Sequence, residues 1–250
     1  MVRYQATLAY DGTNYSGFQR LNRRPSVQDS VETSLQKLGW TGKAILSAGR
    51  TDSGVHALGQ VIAFDLDWPH PAEALQRALN AHLPADISIR SLQACAETFH
   101  PRFDALSRRY IYRLLCDPVR DPLRERYAWR VWPAPVGDRL AADAGRLIGV
   151  HDFAAFGTPP KRGGTTIRTV MVSSWRLQGP EWIFEIEANA FLYHMVRRLV
   201  RLQVEIGQGL KPADSLQKLL RDPGDGPPPA VAPAQGLFLA EVRYSEGSGD

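Results

Sequence analysis

Apolar and polar residues alternate from Arg3 to Tyr10, the two-residue period of a half-buried strand, and the run stops at the turn-forming Asp11-Gly12-Thr13-Asn14. After Ser26 the period lengthens. Val27, Val31, Leu35 and Leu38 fall three or four apart, which is one face of a helix, with Ser26 placed to cap it and Asp29 three residues on. A short apolar stretch, Ala44 to Leu46, and a strand-like run, Gln60 to Phe64, come next. A second helix is expected from about Pro71, with Leu75, Leu79 and Leu83 on one side, and Ile87, Ile89 and Leu92 suggest a closing strand. The order is β-α-β-β-α-β.

The second half repeats the pattern. Ser107 to Leu115 reads as a strand, and Asp138 to Ile148 as a helix with Leu140, Ala144, Leu147 and Ile148 on its face. Thr166 to Leu177 and Trp182 to Ala188 form a hairpin about Gly179-Pro180. A long helix is expected from Phe191 to Ile206, a shorter one from Asp214 to Leu220, and a last strand from Leu237 to Tyr244. Pro223 to Gly236 reads as a stiff, Pro-rich connection. Two such patterns imply an α+β chain of two ferredoxin-like (RRM-like) halves with antiparallel sheets, 1–104 and 105–250. RNA-recognition modules of that topology use the open sheet face, although topology alone does not establish RNA binding.

Composition narrows the picture. The 250 residues suffice for a sizeable core. No run approaches the ~18 apolar residues of a spanning helix, and MVRYQATLAYDG is not a signal peptide. Cys95 and Cys116 form neither a CxxC pair nor a disulfide framework, which fits a reducing cytoplasm and argues against structural zinc. The net charge is only +4, yet 25 of the 30 basic residues are arginine, whose planar fork suits phosphates and stacks on bases. Base composition of the genome explains such a bias equally well, so placement matters more than number.

One placement stands out. Ser47 to Leu58 reads SAGRTDSGVHAL, with Asp52 between Gly49 and Gly54, Arg50 before it and His56 after it. Glycines so close to a carboxylate let the chain turn sharply and let another molecule approach the backbone. The plain alternative is an Asx turn from Asp52 to the amide near Gly54. An aspartate is an anion at neutral pH, able to act as nucleophile or general base, and a nearby guanidinium would hold it ionised and oriented. Tyr110 and Tyr112, two apart on a strand, share a face, and Arg108 and Arg109 before them would suit adjacent phosphates. On the long helix His194, Arg197, Arg198 and Arg201 gather opposite the apolar stripe of Leu192, Met195, Val196, Leu199, Leu202 and Ile206.

GRTDSGVHA resembles the catalytic loop of the tRNA pseudouridine synthase A family, which carries GRTDxGVHA about its essential aspartate. NAFLYHMVR, RRYIY, LAYDGTNYSGFQR, HDFAAF, TIRTV and APAQGLFLAEVRY are similar to that family's other segments, in order along nearly the whole chain. Departures are Phe18 where Trp is common, and Arg198 and Arg201 where Asn and Gly are common. The resemblance implies the pseudouridine synthase fold, a homodimer, and conversion of uridine to pseudouridine at positions 38, 39 and 40 of the tRNA anticodon stem-loop. It also implies roles: Asp52 as the catalytic carboxylate, Arg197 as its partner, Tyr110 stacked on the target base, and Arg50 filling the gap left by the flipped nucleotide. No cofactor or metal is implied, since the reaction is an isomerisation.

Two other readings compete. A non-catalytic RNA-binding protein on the same sheets would use the arginines and Tyr110 but leave Asp52 idle. A metal-dependent nuclease would pair Asp52 with Asp65 or Asp67, though no Glu or His completes a cluster. The HxE…PCxxC signature of zinc deaminases is absent.

Overall fold

In the computed structural model, which describes residues 1–21, 24–159, 163–224 and 230–245, the alternating N-terminal run is β1 (Val2–Tyr10). Tyr4, Ala6, Leu8 and Tyr10 are buried, as the period requires. The chain divides into two units. The first comprises Met1–Leu106 and the residues from Phe238 on, the second Ser107–Leu237. Each is mixed α+β with a mostly antiparallel sheet.

In the first unit β1 lies between β3 (His56–Leu66) and β4 (Ile87–Ala94), antiparallel to both. β2 (Leu46–Ser47) pairs antiparallel with β3, and β10 (Leu237–Tyr244) pairs with β3 in parallel at Phe238–His56 and Leu239–Ala57. The expected α1 is Val27–Gln36, and the Ser26 hydroxyl accepts the Asp29 amide at 3.2 Å. Its buried face is Val27, Val31 and Leu35, each worth about 1.5–3 kcal/mol removed from water. α2 (Ala72–His82) buries Leu75 and Leu79. Asn80 fixes it to β4 by accepting from the Ile89 amide (2.7 Å) and donating to its carbonyl (3.0 Å).

The second unit orders its strands β5 (Ala105–Cys116), β9 (Glu181–Ala188), β8 (Ile167–Gln178) and β7 (Gly149–Asp152), with β6 (Trp129–Val131) parallel to β5. The hairpin turns at Gly179, whose φ of 60° suits a residue without Cβ. α3 (Gly137–Arg146) packs on β8 and on α4 (Met195–Gly207), and α5 (Ser215–Arg221) follows. Tyr112, Phe184, Ile186, Leu199 and Val200 lie in this core.

Several expectations change. β6 and β7 have three and four residues, too few to display an alternation. Ile148 lies beyond the end of α3 and is exposed. The long helix begins at Met195, not Phe191. His194 has φ 65°, a left-handed conformation that a helix interior does not accept, and the Tyr193 amide is given to the Thr158 carbonyl at 3.0 Å. The Pro-rich connection falls partly on 225–229, outside the described residues. Among the described residues no helix is long and apolar enough to cross a membrane.

Candidate active site

The Asp52 loop joins β2 to β3, and its anchors come from β3, from the end of β1 and from the segment after β1. At its start the Ala48 amide donates to the Val61 carbonyl (2.9 Å) and the Gln60 side chain donates to the Gly49 carbonyl (2.9 Å). Just before Asp52, the Thr51 carbonyl accepts the Phe18 amide (3.1 Å) and the Thr51 hydroxyl meets the Tyr10 hydroxyl (2.8 Å), both groups out of water. Just after it, the Tyr15 carbonyl accepts the Gly54 amide and the Ser53 hydroxyl, each at 3.3 Å. The Gly54 amide, which an Asx turn would use, is thus given to Tyr15. The Val55 amide donates to the Asp52 carbonyl at 3.1 Å and closes the turn, in which Gly54 has φ 76°.

Two glycines of the facing segment make this contact possible. A Cβ on Gly12 would stand 2.0 Å from the Val55 carbonyl oxygen, and one on Gly17 (φ 110°) 2.7 Å from the Thr51 oxygen. Asp52 is half-buried where the turn begins and Arg50 is exposed. The backbone on both sides of the carboxylate is therefore held by main-chain bonds, the arrangement that fixes a side chain's origin within a fraction of an ångström.

The facing segment is itself fixed. The Tyr15 hydroxyl donates to Asp86 at 2.6 Å, and burial first, then this bond, pushes its pKa up to about 12. His56, which opens β3, receives the Gly12 amide on Nδ1 at 3.0 Å and stacks on Phe238 with ring centres 4.7 Å apart.

The other expected residues lie in the second unit. Tyr110 is half-buried on β5, with its ring edge-on to Phe191 at 5.0 Å. Tyr112 shares its face, as expected, but is fully buried, and its hydroxyl donates to the Pro233 carbonyl at 2.8 Å. Burial drives the Tyr112 pKa up, against the opposing charges of Arg197 and Arg201. Arg197 is half-buried on α4 and joins the chain near Ala232 twice: its Nε donates to the Ala232 carbonyl (2.7 Å), and its own carbonyl accepts the Ala232 amide (3.1 Å).

The remaining arginines of the expected basic face are engaged within the unit. Arg198 donates to the Phe156 and Tyr193 carbonyls, and Arg201 pairs with Glu205 at 2.6 Å with its guanidinium over Trp129. Arg109 pairs with Glu185 (3.1 Å) and Arg108 donates to the Asn189 carbonyl (3.1 Å). In the first unit Asp65 gives both oxygens to Arg3, at 2.7 and 2.8 Å, so of the two carboxylates the nuclease reading offered beside Asp52 this one is already engaged. Among the described residues no group of three or more His, Cys, Asp or Glu is placed to hold a metal ion.

Asp52 and Arg50 thus belong to the first unit, Tyr110 and Arg197 to the second. Sequence reasoning missed the anchoring set of Tyr10, Gly12, Tyr15 and Gly17. Its signal was present in LAYDGTNYSGFQR, where two glycines flank an aromatic without the period of any regular element.

Comparison with known proteins accounts for the same segments. The model of a family described as tRNA pseudouridine synthase matches residues 6–104 and 144–245. A tRNA pseudouridine synthase A of Limosilactobacillus fermentum is 36% identical over 98% of this chain and 96% of its own. One of Caulobacter vibrioides is 37% identical over 98% and 100%. Among solved structures a Cbf5-Nop10-Gar1 complex aligns with TM-score 0.38 and 12% identity over 80% of this chain and 45% of that one, a likeness too loose to add anything. With nearly full-length relatives at this identity, and the loop of Asp52 inside the matched region, the chain belongs to the tRNA pseudouridine synthase family.

Proposed function

We propose that this protein is an isomerase that converts uridine to pseudouridine at positions 38, 39 and 40 of the tRNA anticodon stem-loop, with Asp52 as the reacting carboxylate. The observation that carries this reading is the Asp52 loop. A half-buried aspartate opens a turn whose backbone is held on both sides, within a nine-residue segment similar to the family's catalytic loop. The reaction breaks the bond from uracil N1 to C1′, turns the base and rejoins it through C5. C5 loses its proton and N1 gains one, so composition is unchanged and no external reagent is consumed. Asp52 begins it by attacking the sugar or by removing a proton from it.

A uridine inside a stacked stem has to leave the stack before these atoms can be reached. Exposed Arg50 fills the space it vacates, and Tyr110 stacks on its face, a contact worth roughly 1–3 kcal/mol. Arg197 pairs with Asp52 in the working complex. A homodimer in the cytoplasm, with one tRNA laid across both subunits, completes the proposal. Positioning by phosphates and shape, with little base readout, would let one pocket serve neighbouring uridines.

The test is to incubate purified protein with unmodified tRNA transcripts in EDTA and to map the modified positions. Pseudouridine at 38, 39 or 40 is expected. Modification confined to another loop would keep the chemistry and discard the substrate. Tight binding with no modification of any tRNA would favour the non-catalytic RNA-binding protein.

A further inference from the structure

We propose that His56 is a positioning residue whose Nδ1 ties the exit of the Asp52 loop to the turn after β1 and so sets where the carboxylate stands. The proposal rests on the function given above and names a residue that acts through the backbone. It starts from one atom. Nδ1 of His56 receives the Gly12 amide at 3.0 Å and lies 3.1 Å from Asp11 Oδ1, in a ring that is 1% exposed.

An imidazole nitrogen has a single in-plane site, which either accepts or donates. When Nδ1 carries no proton it accepts from Gly12. When it is protonated it donates to Asp11. Both partners are in the same turn, whose shape is fixed by Asp11 Oδ1 accepting the Thr13 amide (3.0 Å) and hydroxyl (2.5 Å). The tie to the turn therefore exists in either state of the ring. Position along the chain makes it matter: His56 is four residues past Asp52, and Gly12 is packed so closely on the Val55 carbonyl that a Cβ would meet it at 2.0 Å. The stack on Phe238 holds the ring plane, which aims Nδ1 at the turn.

Side-chain length supplies the discriminating test. Asn places its amide oxygen near the position of Nδ1, whereas Gln carries its amide one carbon further, near Nε2. Both lose the stacked ring equally. His56→Asn, His56→Gln and His56→Leu are compared with wild type and Asp52→Asn in single-turnover release of tritium from [5-³H]uridine tRNA, with tRNA affinity and melting measured alongside. His56→Asn should stay within about fivefold of wild type. His56→Gln and His56→Leu should fall by about fiftyfold or more in rate while tRNA affinity changes by no more than about threefold, as expected when a reacting group is displaced by about an ångström.

A second measurement needs no variant. Wild-type protein with ¹⁵N labels should show through-bond coupling between the Gly12 amide and His56 Nδ1. Equal rates for the Asn and Gln variants, or an Nδ1 that neither couples to the Gly12 amide nor carries a proton bonded to Asp11, would overturn the tie. Coupling present in a protein that makes no pseudouridine would leave the tie standing and remove the proposed function instead.

Discussion

Replacing Gly12 with alanine perturbs the Asp52 loop without touching a reacting group. The added Cβ would stand 2.0 Å from the Val55 carbonyl oxygen, 2.6 Å from its carbon and 3.1 Å from its nitrogen. All three are backbone atoms, so no side chain can swing aside. An ordinary contact needs about 3.4 Å or more, so the loop and the turn have to separate by at least about 1 Å. Overpacking of this size costs about 1–3 kcal/mol of stability, and displacement of a reacting group by about 1 Å costs about 100-fold in rate. The expected result for Gly12→Ala is therefore a folded protein with a lowered melting temperature and kcat down about 100-fold, with tRNA affinity close to wild type. Gly145→Ala is the control. It sits exposed near the end of α3 with nothing within 4 Å of the new methyl, and should gain up to about 1 kcal/mol from helix propensity at unchanged rate. Wild-type turnover by Gly12→Ala would refute the argument that close packing of these two segments positions Asp52.

Three further outcomes follow from the same geometry. The Tyr15 proton is held more tightly in the fold, to about pH 12, than in the unfolded chain, near 10, so its contribution is complete below pH ~10 and is lost as pH rises through about 12. Denaturant titrations at pH 9, 10.5 and 12 should show that Tyr15→Phe lacks roughly 2–3 kcal/mol of this alkaline loss; an unaltered alkaline slope would be evidence against a buried, bonded phenol. Tyr112→Phe leaves the Pro233 carbonyl without its donor and should lower stability by about 1–3 kcal/mol with little effect on turnover, whereas Tyr110→Ala should lower turnover far more than stability. Arg197→Met should lose most activity together with some stability, since its bond to the Ala232 carbonyl goes too; turnover at the wild-type rate would remove it from the mechanism.

The regular elements were legible because their periods are local. The alternation from Arg3 to Tyr10 became β1, Ser26 became a helix cap, and Met195, Val196, Leu199, Leu202 and Ile206 are all buried along α4. Legibility failed where a long-range contact decides. The start of α4 is set by the left-handed His194 and by the bond from Tyr193 to Thr158, thirty-five residues away, which no period reveals. The basic face of that helix was legible in composition, but its partners were not: Arg201 pairs with Glu205 and lies over Trp129, and Arg198 donates to two carbonyls. At the site, the nine residues about Asp52 were readable as a motif. Their clamp by Tyr10, Gly12, Tyr15 and Phe18 was not, because it joins segments more than thirty residues apart, in large part through backbone groups that every residue has.

The central claim is that the carboxylate of Asp52 carries out the reaction, and Asp52→Asn tests it most directly. Asparagine is nearly isosteric but is neither an anion nor a base, so the loop's backbone bonds to Phe18, Tyr15 and Val61 should persist. Tritium release from [5-³H]uridine tRNA, measured with tRNA binding on the same preparation, should give wild-type affinity and no product above background. Substantial pseudouridine from a folded, tRNA-binding Asp52→Asn protein would contradict the account.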